Sequence, residues 1–185
     1  MAKEYNIVID QGSDFYLDID YTDASGVAFP LTGYTAKMQL RENTDSATAT
    51  VTLESLKATI TNVSASSGTV TYTAANSFSA NQKVTITGVN PTAYNLISAT
   101  VASANSTTFT VTSAATGSYL SGGTASSGIT ITPSLGNLLV RITSVQTALL
   151  TSKQYVYDLK ITSADGIVTR LLQGIAEVDD QVTRA

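Results

Sequence analysis

The chain has 185 residues, with 10 Lys and Arg against 14 Asp and Glu and a net charge of -4. It has no Cys and no His, which removes disulfides, thiol nucleophiles, thiolate or imidazole metal sites, His general bases and the Ser-His-Asp triad. The acidic balance, without any adjacent pair of Lys or Arg, gives no footprint for nucleic acid or an anionic membrane, and no apolar run is long enough to span a bilayer.

The first five residues are charged and then alternating, without the apolar core of a signal peptide, so a soluble chain made in the cytoplasm is expected. Residues 5–10 read as a strand, broken by Gln11-Gly12-Ser13. Residues 14–21 alternate strictly: Phe15, Leu17, Ile19 and Tyr21 on one face, Asp14, Tyr16, Asp18 and Asp20 on the other. That period belongs to a half-buried antiparallel strand. Residues 22–26 have turn chemistry, with Gly26 free to take positive φ. Residues 34–41 alternate again, setting Ala36, Met38 and Leu40 against Lys37, Gln39 and Arg41, and residues 48–54 form a weaker strand candidate.

The middle of the chain changes character. Between residues 58 and 140 the only charged residue is Lys83, and the polar positions are filled by Ser and Thr, which number 51 in the whole chain. Six short strands are predicted there, near residues 58–63, 68–74, 82–88, 95–102, 107–113 and 118–125, with small-residue turns between them. Strands at that spacing predict a compact sandwich or barrel.

The charged style then resumes. Leu138, Val140 and Ile142 alternate with Leu139, Arg141 and Thr143, and residues 144–150 break the pattern as one helical turn. Residues 155–162 are the cleanest strand, with Tyr155, Tyr157, Leu159 and Ile161 facing inward. Asp165-Gly166 signals a hairpin, and residues 167–178 return as the partner strand, with Gly174 marking a bulge or bend. The whole is an all-β protein. Because charge density changes at both junctions, the sequence favours an outer domain split between residues 1–57 and 128–185, with a second small β-domain, residues 58–127, inserted between its halves, over a single larger sandwich with one Ser/Thr-rich sheet.

Candidate sites are few. Asp10, Asp14, Asp18, Asp20 and Asp23 are the one set of hard-cation ligands, but the calcium-loop pattern is absent and a solvated charged face is the expected reading. Asp179-Asp180 reads as a solvated tail. A Ser nucleophile lacks its base, no phosphate loop occurs, and no carboxylate pair stands out, so no catalytic residue, cofactor or metal is assigned. Tyr72, Tyr94 and Tyr119 suit either sugar or protein contacts when exposed, or a small core when buried, and the core is the expected reading. Ile7, Ile9, Val178, Val182 and Arg184 lie at chain ends that need a partner to become ordered, and are the expected assembly contacts.

Two segments carry a family resemblance. One is Leu31-Thr32-Gly33-Tyr34-Thr35-Ala36-Lys37-Met38-Gln39-Leu40-Arg41, preceded by Gln11-Gly12-Ser13-Asp14-Phe15 and the Asp23 to Gly26 turn. The other is Tyr155-Val156-Tyr157-Asp158-Leu159 followed by residues 165–174. Together they resemble small structural proteins of tailed bacteriophages, and are similar to the N-terminal Ig-like domain of baseplate upper proteins and fibre adaptors. In the middle, residues 68–73 and 105–111 look like β-rich inserts of marine and cyanobacterial phage virion proteins. The resemblance implies an Ig-like β-sandwich interrupted by the inserted domain. It implies a non-enzymatic virion subunit at the tail, baseplate or fibre, docked on other virion proteins as a homo-oligomer, without nucleic acid or membrane. A capsid or neck decoration protein and a carbohydrate-binding module contacting the host surface stand as the alternatives.

Overall fold

The computed structural model describes residues 2–151 and 153–182. The protein is all-β, mostly antiparallel, and built from several sheets. Its contacts divide it into two compact units: unit 1 takes Met1–Ser55 and Ile129–Ala185, and unit 2 takes Leu56–Gly128. The first segment of unit 1 carries β1 (Lys3–Glu4), β2 (Ile7–Asp10), β3 (Phe15–Asp20), β4 (Thr35–Arg41) and β5 (Val51–Glu54). Unit 2 carries β6 (Lys57–Thr59), β7 (Asn62–Ser66), β8 (Thr69–Thr73), β9 (Lys83–Thr87), β10 (Leu96–Ala104), β11 (Thr108–Thr112) and β12 (Thr124–Ser126). The second segment of unit 1 adds β13 (Ile129–Thr132), β14 (Asn137–Ile142), α1 (Ser144–Thr147), β15 (Gln154–Thr162) and β16 (Val168–Asp179). Among the described residues no helix is long and apolar enough to cross a membrane.

Unit 1 has a six-stranded sheet in the order β1-β16-β15-β4-β5, with β2 also on β16, and a three-stranded sheet in the order β13-β14-β3. Period-2 alternation sends one side of each strand inward, so Met38, Leu40, Leu159 and Ile161 of the large sheet and Leu138, Val140 and Ile142 of the small sheet share one apolar core. Two sheets around one core is a sandwich-type arrangement. The inward set Tyr155, Tyr157, Leu159 and Ile161 is buried as its alternation requires. Helix α1 is a single turn held by a reciprocal cap: the Gln146 amide donates to Thr143 Oγ1 at 3.4 Å, and the Thr143 amide to Gln146 Oε1 at 3.1 Å. The connection after β15 is longer than a two-residue hairpin: Ser163 and Ile167 close it, and Gly166, at φ 82°, donates to the Ser163 carbonyl at 3.0 Å.

Two local expectations change. The bulge in β16 falls at Leu171, between Arg170 (opposite Lys160) and Leu172 (opposite Leu159), rather than at Gly174. Gly174 is instead a close approach: a Cβ there would lie 2.2 Å from the Tyr5 carbonyl oxygen. Asp179 is not a tail residue but the last of β16, where its carbonyl accepts from the Gln11 amide at 2.9 Å.

Unit 2 has one seven-stranded sheet in the order β6-β12-β9-β10-β11-β8-β7. Its two outermost strands, β6 and β7, are separated only by Ile60 and Thr61. The Ile60 amide still bonds to the β12 side (Gly123 O, 3.0 Å), and the Thr61 amide already bonds to β8 (Thr73 O, 2.8 Å). One run of chain therefore closes the sheet on itself. β10 turns the opposite corner, pairing first with β9 and then with β11 across register shifts, and Ser98 at φ 54° marks its bend. Inside, Tyr72 stacks on Phe109 at 5.0 Å and Phe78 meets Phe109 edge-on at 5.2 Å. Of the strand predicted over residues 118–125, only Thr124 and Ala125 join a strand, β12; Ser121 makes an isolated bridge to Asn90, and Gly122 and Gly123 pass too close to Gly88, Val89 and Ile60 to carry side chains.

Candidate functional site

The expected contact residues of the chain ends separate. Ile7, Ile9 and Val178 do find a partner, but it is internal: β2 runs parallel to β16, with Val178 opposite Ile9 and Ala176 opposite Ile7, and all three side chains are buried in the core of unit 1. Buried among their own sheet, these three side chains are covered within unit 1 and are not exposed to a partner. Val182 is exposed, and Arg184 lies outside the described residues.

The acidic set is scattered: Asp18 and Asp20 lie on β3 and Asp14 just before it, whereas Asp10 ends β2 of the large sheet and Asp23 sits in the turn after β3. Asp14 is bound by the Ser144 amide and by Arg141 at 2.7 Å, and these two, the amide first, hold its carboxyl below the ordinary value. Arg141 also lies over the Tyr16 ring at 5.7 Å. Asp18 and Asp20 share the neutral amide of Asn137, at 2.5 and 3.0 Å. Among the described residues no group of three acids gathers as a metal site.

The tyrosines of unit 2 do not form a sugar platform. Tyr72 and Tyr94 are fully buried; the Tyr72 hydroxyl donates to the Tyr94 carbonyl at 2.7 Å, and burial pushes its pKa up. Tyr119 is half-buried, and its hydroxyl donates to the Ile60 and Gly122 carbonyls at 3.3 and 3.1 Å.

Two open concavities lie in unit 1. The larger, about 1090 Å³, runs beside β3 and over the start of β16. Its wall and floor include Leu17 and Ile19 of β3, Tyr5, Val168, Leu171 and Leu172. The apolar rows explain why it is open. On β14 the inward residues Leu138, Val140 and Ile142 are 0% exposed, whereas the inward residues of β3 are only half-covered, because β3 is the last strand of a three-stranded sheet facing a six-stranded one. Tyr5 and Val168 remain 47% and 60% exposed at its rim.

The smaller concavity, about 590 Å³, lies on the outer face of the large sheet against Val156, Gly174 and Ile175. One cross-strand row beside it reads Glu54, Lys37, Lys160, Arg170. Like charges directly opposite are unfavourable by a few tenths of a kcal/mol to about 1. Lys37 is relieved by Glu54 at 2.9 Å, and Asp158 takes Lys160 at 3.0 Å and Arg170 at 3.4 Å. Sequence alternation placed Lys37 and Lys160 opposite the inward residues of their strands, but only the register brings them into one row with Arg170. Likewise, alternation marked Leu17 and Ile19 as inward, but nothing in it shows that β3 ends its sheet. Comparison with protein-family models and with curated proteins found no match for the chain.

Proposed function

We propose that the chain is a non-enzymatic structural subunit of a tailed-bacteriophage virion, at the tail, baseplate or fibre adaptor, acting through protein–protein assembly. In this reading unit 1 is an Ig-like sandwich and unit 2 a domain inserted into it. The observation that carries the reading is where the resembling segments fall. Far apart in sequence, they become β4, β15 and the first half of β16, three neighbouring strands of one sheet. Support for the insertion comes from the ends of unit 2: Lys57 pairs with Ser126, and Leu56 and Ser127 exchange hydrogen bonds, so the chain leaves near where it entered. The half-covered edge of unit 1 supplies a surface of the kind a docking subunit needs.

Immunogold labelling of particles produced by the genome that encodes the chain tests the assignment. Label at the tail tip is expected. Label spread over the head or at the neck replaces it with a decoration role. Purified particles without label or without the chain's peptides refute a virion role altogether.

A further inference from the structure

We infer that the groove beside β3 is a strand-docking site, and that its occupant is an extended segment of another polypeptide with alternating apolar and basic residues. The inference rests on the reading of unit 1 as a docking body and names the chemistry of what docks.

The backbone comes first. The Tyr21 amide donates to the Gly136 carbonyl at 2.8 Å, and β3 and β14 are paired from Asp20↔Asn137 to Phe15↔Ile142. Antiparallel alternation then turns the N–H and C=O groups of Ile19, Leu17 and Phe15 toward β14. Those of Asp20, Asp18 and Tyr16 point to the open edge, where a further strand would bond them. A strand over the length of β3 spans about 20 Å at roughly 3.3 Å per residue.

The side chains set the pattern. In a sheet, neighbours across the ladder share a face. Occupant residues beside Leu17 and Ile19 point into the groove, against Leu171 and Leu172, and so are apolar. Residues beside Tyr16, Asp18 and Asp20 point outward. Asp14 already has Arg141, but among the described residues neither Asp18 nor Asp20 is in an ion pair. Carboxylates on an edge strand discourage pairing with acidic strands and favour Lys or Arg opposite. A second β3 is excluded by the same argument, since it would set carboxylates against carboxylates. Main-chain bonds give such a complex its affinity, and alternate side chains give it its choice of partner.

The test uses the full chain and two short blocked peptides, one alternating Lys and Val, the other Glu and Val. Binding is followed by NMR shifts and amide exchange at several salt concentrations. The Lys peptide is expected to bind at least about tenfold tighter at low salt, the margin shrinking as salt rises, with new protection at the Tyr16, Asp18 and Asp20 amides. Asp18→Pro removes one edge donor without touching the ladder to β14, and should weaken the Lys peptide strongly. If that variant does not fold, the double change Asp18→Lys and Asp20→Lys decides: it should reverse the preference to the Glu peptide. No binding by either peptide, equal binding by both, an unreversed preference or protection elsewhere overturns the inference. None of these results touches particle labelling, and unlabelled particles would leave the peptide result standing.

Discussion

Gly174→Ala is the sharpest test of how the N-terminal strands are seated on unit 1. The added Cβ would lie 2.2 Å from the Tyr5 carbonyl oxygen, 2.8 Å from its carbon and 2.9 Å from Asn6 Oδ1. Ordinary contact begins near 3.4 Å, so the Tyr5 peptide must retreat by about 1.2 Å. Three hydrogen bonds meet there: the Tyr157 hydroxyl to the Tyr5 carbonyl at 2.6 Å, the Tyr5 amide to Gln173 O at 2.9 Å, and the Ile175 amide to Asn6 Oδ1 at 2.9 Å. A retreat of that size breaks the first and strains the others. At about 1 kcal/mol each, less the roughly 0.4–1 kcal/mol that Gly→Ala contributes by restricting the unfolded chain, the expected loss is about 2–3 kcal/mol. Urea unfolding followed by unit 1 resonances measures it, and amide exchange at Tyr5 should quicken in the folded protein. A variant within about 0.5 kcal/mol of the parent, with Tyr5 still protected, would show that the β1–β16 approach is soft and the reasoning wrong.

Burial, with Tyr5 beside it, pushes Tyr157 from 10.0 up to about 12. The folded state therefore holds a proton that the unfolded state releases, so the hydroxyl's contribution is complete below pH 10 and is lost as pH rises through 12; Tyr157→Phe should flatten that part of the alkaline stability profile of unit 1. Asp14 shifts the other way: its depressed carboxyl contributes above the ordinary 3.8 and stops contributing as pH falls through its lower folded value. Asp14→Asn should remove that acid-side slope and lower neutral stability by roughly 1 kcal/mol, and an unchanged acid titration of stability would count against the Ser144 and Arg141 contacts. In unit 2, Tyr72→Phe keeps the stack on Phe109 but strips the buried bond to the Tyr94 carbonyl, for about 1–2 kcal/mol, whereas Phe109→Ala empties the ring cluster, for about 3–5 kcal/mol; thermal melts giving the reverse order would refute the assignment of the core.

What was legible in the sequence was periodic. Alternation in residues 14–21, 34–41 and 155–162 carries its own face, because a slip of one residue would turn every apolar side chain to water. Pairing was not legible. Ile7, Ile9 and Val178 were recognisable as side chains in need of cover, but a parallel contact between the two chain ends leaves no local mark. The same holds for the row of Lys37, Lys160 and Arg170, and for the half-covered edge at Leu17 and Ile19, which depend on which strand stands beside which. Gly174 looked like a bulge because a glycine within a strand reports that something is close without saying what. Here it is the carbonyl of Tyr5, in the link between β1 and β2. Residues 118–123 misled for the opposite reason: only Ser121 pairs, in an isolated bridge to Asn90, and the two glycines beyond it are held against Gly88 and Val89 with no room for side chains.

The closed sheet of unit 2 bears on the long stretch of sequence with almost no charge. A sheet whose two ends are halves of one run presents no row of unpaired amides, so it needs no Lys or Glu to guard an edge. Its exterior is mostly Thr and Ser, and its two charged residues are Lys57 on β6 and Lys83, which donates to Thr100 Oγ1 at 2.6 Å. A surface so nearly neutral has little to screen and no carboxylate to titrate, so changes in ionic strength, and in pH below the range where its tyrosines ionise, reach its folding equilibrium weakly. Unit 1 carries the ion pairs and the shifted Asp14, and takes that response almost by itself. Within one chain, one body is tuned to its ionic surroundings and the other is nearly blind to them.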